Sequence, residues 1–116
     1  MPRARLPAPL PAGSVDLLLL KALSWGPMHG YGISTWLRER TGESLSLDDA
    51  ALYQGLHRIE RHGWVSSEWG PSENNRRAKY YQLTAGGRRQ LRAETTAWRA
   101  WVEALFRVLD APSPAG

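Results

Sequence analysis

The sequence contains no cysteine, which excludes disulfide bonds and thiolate metal sites. Long hydrophobic runs are missing too, because the four leucines at residues 17–20 are far fewer than a membrane span or a signal-peptide core requires. The lack of cysteine is compatible with a reducing compartment. We therefore expect a soluble protein of the cytoplasm that has no membrane partner.

The sequence signatures of common enzyme active sites are also absent. The chain has neither GxSxG nor HExxH, and the Gly86-Gly87 pair begins a helix without the strand-borne pattern of a phosphate-binding loop. His29 has no second ligand at metal-binding spacing, so we expect it to cap a helix or to pack. The chain is therefore predicted not to be an enzyme and to need no cofactor and no metal ion.

Positive charge predominates in what is present. The formal net charge is +4 and the isoelectric point is about 10.0, which favours a polyanionic partner. Residues 74–92 contain no Asp or Glu but six cations, namely Arg76, Arg77, Lys79, Arg88, Arg89 and Arg92. Such a one-sided run repels itself unless an anion lies nearby, and the phosphates of a nucleic acid match it best.

Two amphipathic helices are predicted after an N-terminal arm. Residues 1–13 contain four prolines and predict a disordered arm, whose Arg3 and Arg5 either touch a phosphate backbone or are solvated without a role. The first helix is predicted to run from an N-cap at Ser14 to a stop at Gly26. Its core stripe is predicted to consist of Leu17, Leu20 and Leu23. The second helix, YGISTWLRERTG, is predicted to close at Gly42.

Residues 48–62, DDAALYQGLHRIERH, predict a third helix with two unlike faces. Asp48 or Asp49 is predicted to cap its start, and a left-handed Gly63 to end it. At about 100° per residue, one side collects the apolar Leu52, Leu56 and Ile59. The opposite side carries side chains that can donate to base edges and phosphates, namely Gln54, His57, Arg58 and Arg61. Alone, this polar face is either a surface that reads DNA or a solvated face without a partner.

After Gly63 the pattern changes to a period of two residues. The segments WVSSEW and AKYYQL predict strands, and the turn formers of GPSENNRR between them predict a β-hairpin with a long tip. The tip and the base of the returning strand carry Asn74, Asn75, Arg76, Arg77 and Lys79. Three helices and a hairpin form a winged helix-turn-helix, in which the third helix enters the major groove and the wing lies along the backbone or the minor groove. The cations and amides thus fall on the two elements that would touch DNA.

A long helix is predicted from an N-cap at Thr84 to about Leu109. Spacings of four and three residues form a heptad seam of Leu91, Thr95, Trp98, Val102, Leu105 and Leu109, beside which lies Trp101. A helix of about 25 residues is about 38 Å long and overhangs so small a domain. We therefore expect a homodimer that shares this helix, rather than a monomer on which the helix folds back.

Four stretches resemble successive segments of the PadR family of bacterial transcriptional regulators, in its short form with one C-terminal helix. They are LLLLKALSWGPMHGYGI, LYQGLHRIERHGWV, SEWGPSENNRRAKYYQLTAGGRRQL and ETTAWRAWVEALFRVL, within residues 14–109. The resemblance implies a dimeric winged-helix repressor that leaves its operator when an effector binds. By position it also implies that Tyr53 contacts backbone or bases and that Lys79 and Tyr80 belong to the wing.

The sequence departs from the family pattern at two neighbouring positions. Gln54 stands where proline is common, and it can add an adenine contact that proline cannot make. Gly55 stands where a small residue with a side chain is usual, although glycine inside a helix costs about 1 kcal/mol relative to alanine. Either the helix begins one turn later than residue 48, or Gly55 permits close packing against the second helix.

The two tryptophans of the last helix allow two interpretations. In some short members of the PadR family, aromatic side chains at the dimer centre stack on flat, drug-like effectors, and Trp98 lies in a comparable part of this helix. Trp98 and Trp101 either line a space for a small aromatic effector between protomers or form ordinary dimer core. The second role is the usual one for aromatic side chains at helical spacing.

The predicted fold class is mainly α with a small β-hairpin, a winged helix-turn-helix with a long C-terminal dimerisation helix. Residues 14–83 are predicted to form the DNA-binding domain, residues 84–109 the dimerisation helix and residues 110–116 a tail. The predicted function is sequence-specific binding of double-stranded DNA by a dimeric repressor. The alternative is a winged-helix module that docks on proteins, because winged helices also serve that purpose.

Overall fold

The computed structural model describes residues 10–114, so most of the predicted disordered arm, with Arg3 and Arg5, lies outside the described residues. The elements in chain order are α1 (Ser14–Ala22), β1 (Met28–His29), α2 (Gly30–Arg40), α3 (Asp49–Arg61), β2 (Val65–Pro71), β3 (Arg77–Leu83) and α4 (Ala85–Leu109). A short 3₁₀ turn, Leu23–Trp25, completes the predicted first helix. Within residues 10–114, no helix combines the length and the apolar character needed to cross a membrane.

Three of the four helices have a side chain that caps the N-terminal end. Each cap accepts a hydrogen bond from a backbone N–H three residues on: His29 from Gly32 at 2.9 Å, Asp48 from Ala51 at 2.7 Å and Thr84 from Gly87 at 3.0 Å. The predicted caps at Asp48 and Thr84 and the capping role of His29 are therefore confirmed. The predicted cap at Ser14 is wrong. Gly13 precedes α1, and the Ser14 hydroxyl instead donates to the carbonyl oxygen of Pro11 at 2.6 Å.

The wing belongs to a three-stranded antiparallel sheet rather than to an isolated hairpin. β3 lies in the centre, between β2 and the two-residue β1, whose register pairs His29 with Tyr80. The hairpin tip is also shorter than predicted, because pairing of β2 with β3 extends to Pro71 opposite Arg77. A left-handed Asn75 with φ of 59° allows the remaining residues to close the turn.

The core lies where α1, α2 and α3 meet beneath the sheet. Its fully buried large side chains are Leu19, Leu20, Leu23, Ile33, Leu37, Leu52, Leu56 and Ile59. The predicted apolar face of α3 is thus confirmed, and Gly63, with φ of 77°, follows its end as predicted. In α1 the prediction of Leu17 as core is wrong. That side chain is half-buried, and Leu19 takes the central position.

Gly55 packs against α1, so both alternatives offered for it are wrong. α3 begins at Asp49, close to the predicted start rather than one turn later. A Cβ atom at Gly55 would lie 2.7 Å from Leu19 Cδ1 and 3.1 Å from Val15 Cγ1, both side chains of the first helix and not of the second. The missing side chain therefore lets α3 approach α1 closely.

α4 is covered by the rest of the chain only along its first half. That half packs against α1 and β3, and Leu91 contacts the core. Residues 101–114 are all exposed, so the second half of α4 projects from a molecule with a longest dimension of 65 Å. Four helices and a small antiparallel sheet confirm the predicted winged helix-turn-helix.

Candidate nucleic-acid interface

The side of α3 that faces away from the core presents polar side chains to solvent. Leu52, Gly55, Leu56 and Ile59 fix the helix rotation because all four are buried. At about 100° per residue, the opposite side is then formed by Tyr53, Gln54, His57 and Arg61, which are all exposed. The predicted polar face thus exists as one continuous surface, with the dimensions of a helix that fits the major groove.

Tyr53 lies at the edge of this face and reaches across to α2. A Cβ atom at Gly30, the first residue of α2, would lie only 2.7 Å from the Tyr53 hydroxyl oxygen. The glycine in HGYGI therefore makes room for the Tyr53 ring over the start of α2. Tyr53 keeps 51% of its surface exposed, so its ring is positioned and still accessible.

Arg58 lies at the opposite edge of the face and is held by a carboxylate of α1. Its Nε donates to Asp16 Oδ1 at 3.0 Å and to Oδ2 at 3.2 Å, and its Nη2 donates to Oδ1 at 2.6 Å. The Asp16 side chain is 15% exposed and that of Arg58 is 47% exposed. These hydrogen bonds, with the negative charge of Asp16, raise the pKa of the Arg58 guanidinium above its usual value. Arg58 therefore stays charged, but Asp16 offsets much of that charge.

A cleft of about 510 Å³ separates the start of α2 and α3 from the wing. Three aromatic side chains line it, and all are strongly exposed for their size: Tyr31 at 72%, Tyr53 at 51% and Trp69 at 56%. The wing contributes Asn74, Arg77 and Lys79 to the same cleft. The cleft thus joins a residue of the predicted reading helix to the predicted wing cations.

Two of the wing cations make specific contacts at this cleft. The Arg77 guanidinium carbon lies 5.3 Å from the centre of the Trp69 ring, a cation–π distance. Lys79 Nζ lies 3.7 Å from Glu60 Oε1 on α3. The Ser67 hydroxyl of β2 donates to the other carboxylate oxygen of Glu60. Glu60 therefore ties both long strands of the wing to the end of α3.

The remaining polar residues predicted for the wing are solvent-exposed at its tip. Asn74, Asn75 and Arg76 lie in the turn between β2 and β3, where their side chains extend from the body of the protein. Asn74 also lines the cleft. Of these tip residues, the structure thus brings Asn74 to the cleft that Tyr53 also lines.

Tyr80 lies on the reverse face of the wing. Along β3 the side chains alternate, so Lys79 and Tyr81 face α3 and Tyr80 faces away. Its hydroxyl donates to the Pro71 carbonyl at 2.7 Å, and its ring lies edge-on to His29 at 5.3 Å. Tyr80 belongs to the wing, as the resemblance implies, but it lines a different groove from Lys79.

Tyr81, by contrast, is buried between the wing and α3. Burial raises the pKa of its phenol above the usual value of 10.0, with smaller contributions from the charges of Glu60 and Tyr53. Lys79 Nζ lies 5.5 Å from the centre of the Tyr81 ring. Tyr81 therefore forms an apolar base on which the wing cation Lys79 rests.

Tyr31 and Trp69 were not among the predicted site residues. Trp69 could have been found from the alternation of WVSSEW, because it shares the face of Val65 and Ser67 but lies four residues beyond Val65, the core residue of β2. Tyr31 is the residue after Gly30, which packs closely against Tyr53. This tertiary contact leaves no signal in the local sequence, so the position of Tyr31 at the cleft could not be predicted.

The residues predicted for a dimer interface divide into two groups in the structure. Leu91 and Trp98 are half-buried, and Leu91 packs on the core of its own domain. The others are exposed in the second half of α4, namely Trp101, Val102, Leu105 and Leu109. Phe106 is exposed beside them. Within residues 10–114, no group of three His, Asp or Glu side chains is arranged to hold a metal ion.

Comparison with known proteins yields a family and several structural neighbours. Residues 19–93 match the model of the transcriptional regulator PadR-like family. The chain is 29% identical to a PadR family transcription regulator from hypervirulent Clostridium difficile, over 84% of this chain and 99% of that one, with a TM-score of 0.73. It is 28% identical to a transcriptional regulator from Clostridium thermocellum, over 82% and 92% of the two chains, with a TM-score of 0.75. Bacillus subtilis PadR in complex with operator DNA has the same fold at 22% identity, over 73% of this chain and 48% of that one, with a TM-score of 0.65.

Proposed function

Because the chain belongs to the PadR-like family of transcriptional regulators, which are not enzymes, we propose that it is a sequence-specific DNA-binding repressor of the cytoplasm. The proposed active form is a homodimer on a roughly palindromic operator, from which an effector releases it. The DNA complex of the related Bacillus subtilis PadR supports double-stranded DNA as the partner.

One observation carries this proposal. Tyr53, at the edge of the polar face of α3, lines the same cleft as the wing residues Asn74, Arg77 and Lys79, so one DNA duplex can contact both elements. In a winged helix-turn-helix, the reading helix enters the major groove and the wing follows the backbone or the minor groove. The net charge of +4 supplies the favourable electrostatic contribution that phosphate contacts require.

The structure suggests a different contact for each group of residues. Gln54, His57 and Arg61 are proposed to read base edges, because they form the outermost part of the α3 face. Tyr53 and Arg58, at its two edges, are proposed to contact the backbone beside the major groove. The wing is proposed to contact phosphates and the minor groove through Asn74, Asn75, Arg76, Arg77 and Lys79. Tyr80 is proposed to support the wing from its reverse face.

The homodimer is proposed to form through α4. The seam of Leu91, Trp98, Val102, Leu105 and Leu109, flanked by Trp101, would pair with its copy on a second chain. Fully burying one large apolar side chain contributes about 1.5–3 kcal/mol. Several such side chains from each protomer therefore suffice to hold a dimer, and its two reading helices would address half-sites about one turn of DNA apart.

The effector is proposed to bind between protomers against Trp98 and Trp101. Trp98 is half-buried and Trp101 is exposed, so a flat aromatic ligand can reach both rings before the dimer core closes around them. Titration of flat aromatic cations into the protein should quench tryptophan fluorescence. If no quenching occurs up to about 100 μM ligand, which corresponds to about 5 kcal/mol of binding free energy, both tryptophans are ordinary dimer packing.

A genomic pull-down tests the proposed DNA binding without a guess about the operator. Sheared DNA is captured on the protein at about 150 mM salt, where non-specific binding is weakened, and the retained fragments are sequenced. The proposal expects an enriched palindrome. Sequence-blind retention would indicate only a basic protein, and no retention would favour the protein-docking alternative.

Two variants make this test specific for the α3 face. Arg61→Ala removes one cation from the face and is expected to reduce the enrichment of the palindrome. Arg107→Ala removes one cation from α4, on the side opposite the apolar seam, and is expected to retain it. Equal retention by both variants would mean that the reading face is wrongly assigned.

A further inference from the structure

Two cations of the proposed DNA interface are held by carboxylates that lie behind them. Among residues 10–114 the structure contains two ion pairs, Arg58 with Asp16 and Lys79 with Glu60. Both pairs therefore involve the proposed interface, although cations occur along the whole chain.

The Asp16 pair fixes Arg58 in orientation as well as in position. The carboxylate accepts from both Nε and Nη2, with the shortest distance at 2.6 Å. This side-on geometry fixes the plane of the guanidinium and leaves three N–H donors, two on Nη1 and one on Nη2, for further hydrogen bonds. Asp16 is the more buried partner, so it is screened from DNA phosphates by the arginine that it holds.

The Glu60 pair fixes the wing relative to the reading helix. Glu60 belongs to α3, and its two oxygens contact Lys79 on β3 and Ser67 on β2. Because one carboxylate joins three elements, the distance between the wing and α3 is set before DNA arrives. The contact also offsets part of the charge of Lys79, which is otherwise a strong ligand for phosphate.

These pairs affect specific and non-specific binding differently. Non-specific affinity comes from cations that neutralise phosphates and release counterions, whereas specificity comes from base contacts, whose register is fixed by oriented contacts to the backbone. A cation that is already paired with a carboxylate contributes less to non-specific affinity. A donor held in one orientation pays less ordering entropy when it makes an oriented backbone contact.

We propose that Asp16 and Glu60 are specificity-determining positioning residues of the DNA interface. They hold Arg58 and Lys79 for directed contacts and lower the affinity of the protein for DNA of arbitrary sequence. The inference rests on the proposed DNA binding. It assigns a positioning role in that binding to two acidic residues of an otherwise basic interface.

Isosteric variants test this role because they remove charge and keep shape. Asp16→Asn retains an oxygen that can accept from Arg58, and Glu60→Gln retains one that can accept from Ser67. In a dimer, one freed cation per protomer should steepen the dependence of log K on log salt concentration by about 1.8. Raising the salt from about 50 to 200 mM should then weaken binding to random DNA about 12-fold more for each variant than for the wild type.

The measurement is fluorescence anisotropy with the enriched operator and with random duplex DNA over this salt range. At low salt each variant should bind random DNA more tightly than the wild type and discriminate less between the two duplexes. Asp16→Glu keeps the charge and should restore the wild-type salt dependence. Asp110→Asn, at the far end of α4, makes the same chemical change without a held cation and should leave it unaltered.

Each outcome decides the inference. Unchanged salt dependence, with equally weakened binding to both duplexes, would show that the carboxylates only stabilise the fold and would overturn it. A steeper dependence in Asp110→Asn of the same size would also overturn it, because net charge alone would then explain the effect. If the wild-type protein bound the operator and the random duplex equally, the proposed function itself would be overturned. The comparison of the two duplexes for the wild type reveals this separately from the behaviour of the variants.

Discussion

The two adjacent glycines at the start of α4 should respond in opposite ways to the same substitution. A Cβ atom at Gly87 would lie 1.9 Å from the carbonyl oxygen of Trp64, whereas a Cβ at Gly86 meets nothing nearer than 3.6 Å. The obstacle at Gly87 is backbone, and that same carbonyl accepts the Thr84 N–H at 3.0 Å. Gly87→Ala therefore cannot be accommodated by moving a flexible side chain.

The expected magnitudes follow from these contacts. Alanine gains up to about 1 kcal/mol of helix propensity over glycine at either position. At Gly87 this gain is opposed by about 1–3 kcal/mol of overpacking and by about 1 kcal/mol for the weakened Thr84 hydrogen bond. Gly87→Ala should thus lower the free energy of unfolding by about 1–3 kcal/mol, while Gly86→Ala should raise it by up to about 1 kcal/mol.

Urea unfolding followed by circular dichroism measures both variants against the wild type. Protein concentration must be the same in each experiment, because a dimer gains stability by mass action. A difference of about 2–4 kcal/mol between the variants corresponds to roughly 10–20 °C in Tm. Equal stability of Gly86→Ala and Gly87→Ala would refute the close approach of α4 to Trp64.

Three further predictions concern the reading helix, the dimer and the buried phenol. Arg61→Ala should weaken operator binding by about 1–3 kcal/mol and relax the preference at one base pair, measured by anisotropy on a set of single-base operator variants. Leu105→Asp should convert the dimer to monomers in sedimentation, because each protomer would bury an unpaired carboxylate in the seam, and a persistent dimer would argue against α4 pairing. Burial raises the pKa of Tyr81, so the protonated phenol should contribute fully to the free energy of unfolding below pH 10.0 and lose this contribution as pH rises further. In urea titrations, Tyr81→Phe should reduce this loss of stability at high pH.

The sequence predicts the elements of this fold because each has a local cause. The Asp48 and Thr84 caps, the left-handed Gly63 and the period-two segments all act within a few residues of the structure they determine. β1 was missed because two residues are too few to show a period. It exists only because β3 presents a free edge at the place where the chain leaves α1.

The site was less predictable than the fold because several of its contacts join distant parts of the chain. The α3 face follows from helical periodicity, so its exposed residues could be named in advance. The pairing of Arg58 with Asp16 could not be predicted, because the two residues are 42 positions apart in sequence and their contact depends on how closely α3 approaches α1. That approach depends in turn on Gly55, whose missing side chain admits Leu19.

The junction at Gly63 and Trp64 connects the reading helix to the proposed dimer helix. The Thr84 hydroxyl donates to the Gly63 carbonyl at 2.7 Å, and the Thr84 N–H donates to the Trp64 carbonyl at 3.0 Å. The start of α4 is thus bound to the residues that directly follow α3. The direction of α4 relative to α3 is therefore fixed by short backbone contacts, with Gly87 packed against them. In the proposed dimer, the α4 pair then sets the separation of the two reading helices. An effector that wedges the α4 helices apart at Trp98 would change that separation without altering any residue that touches DNA.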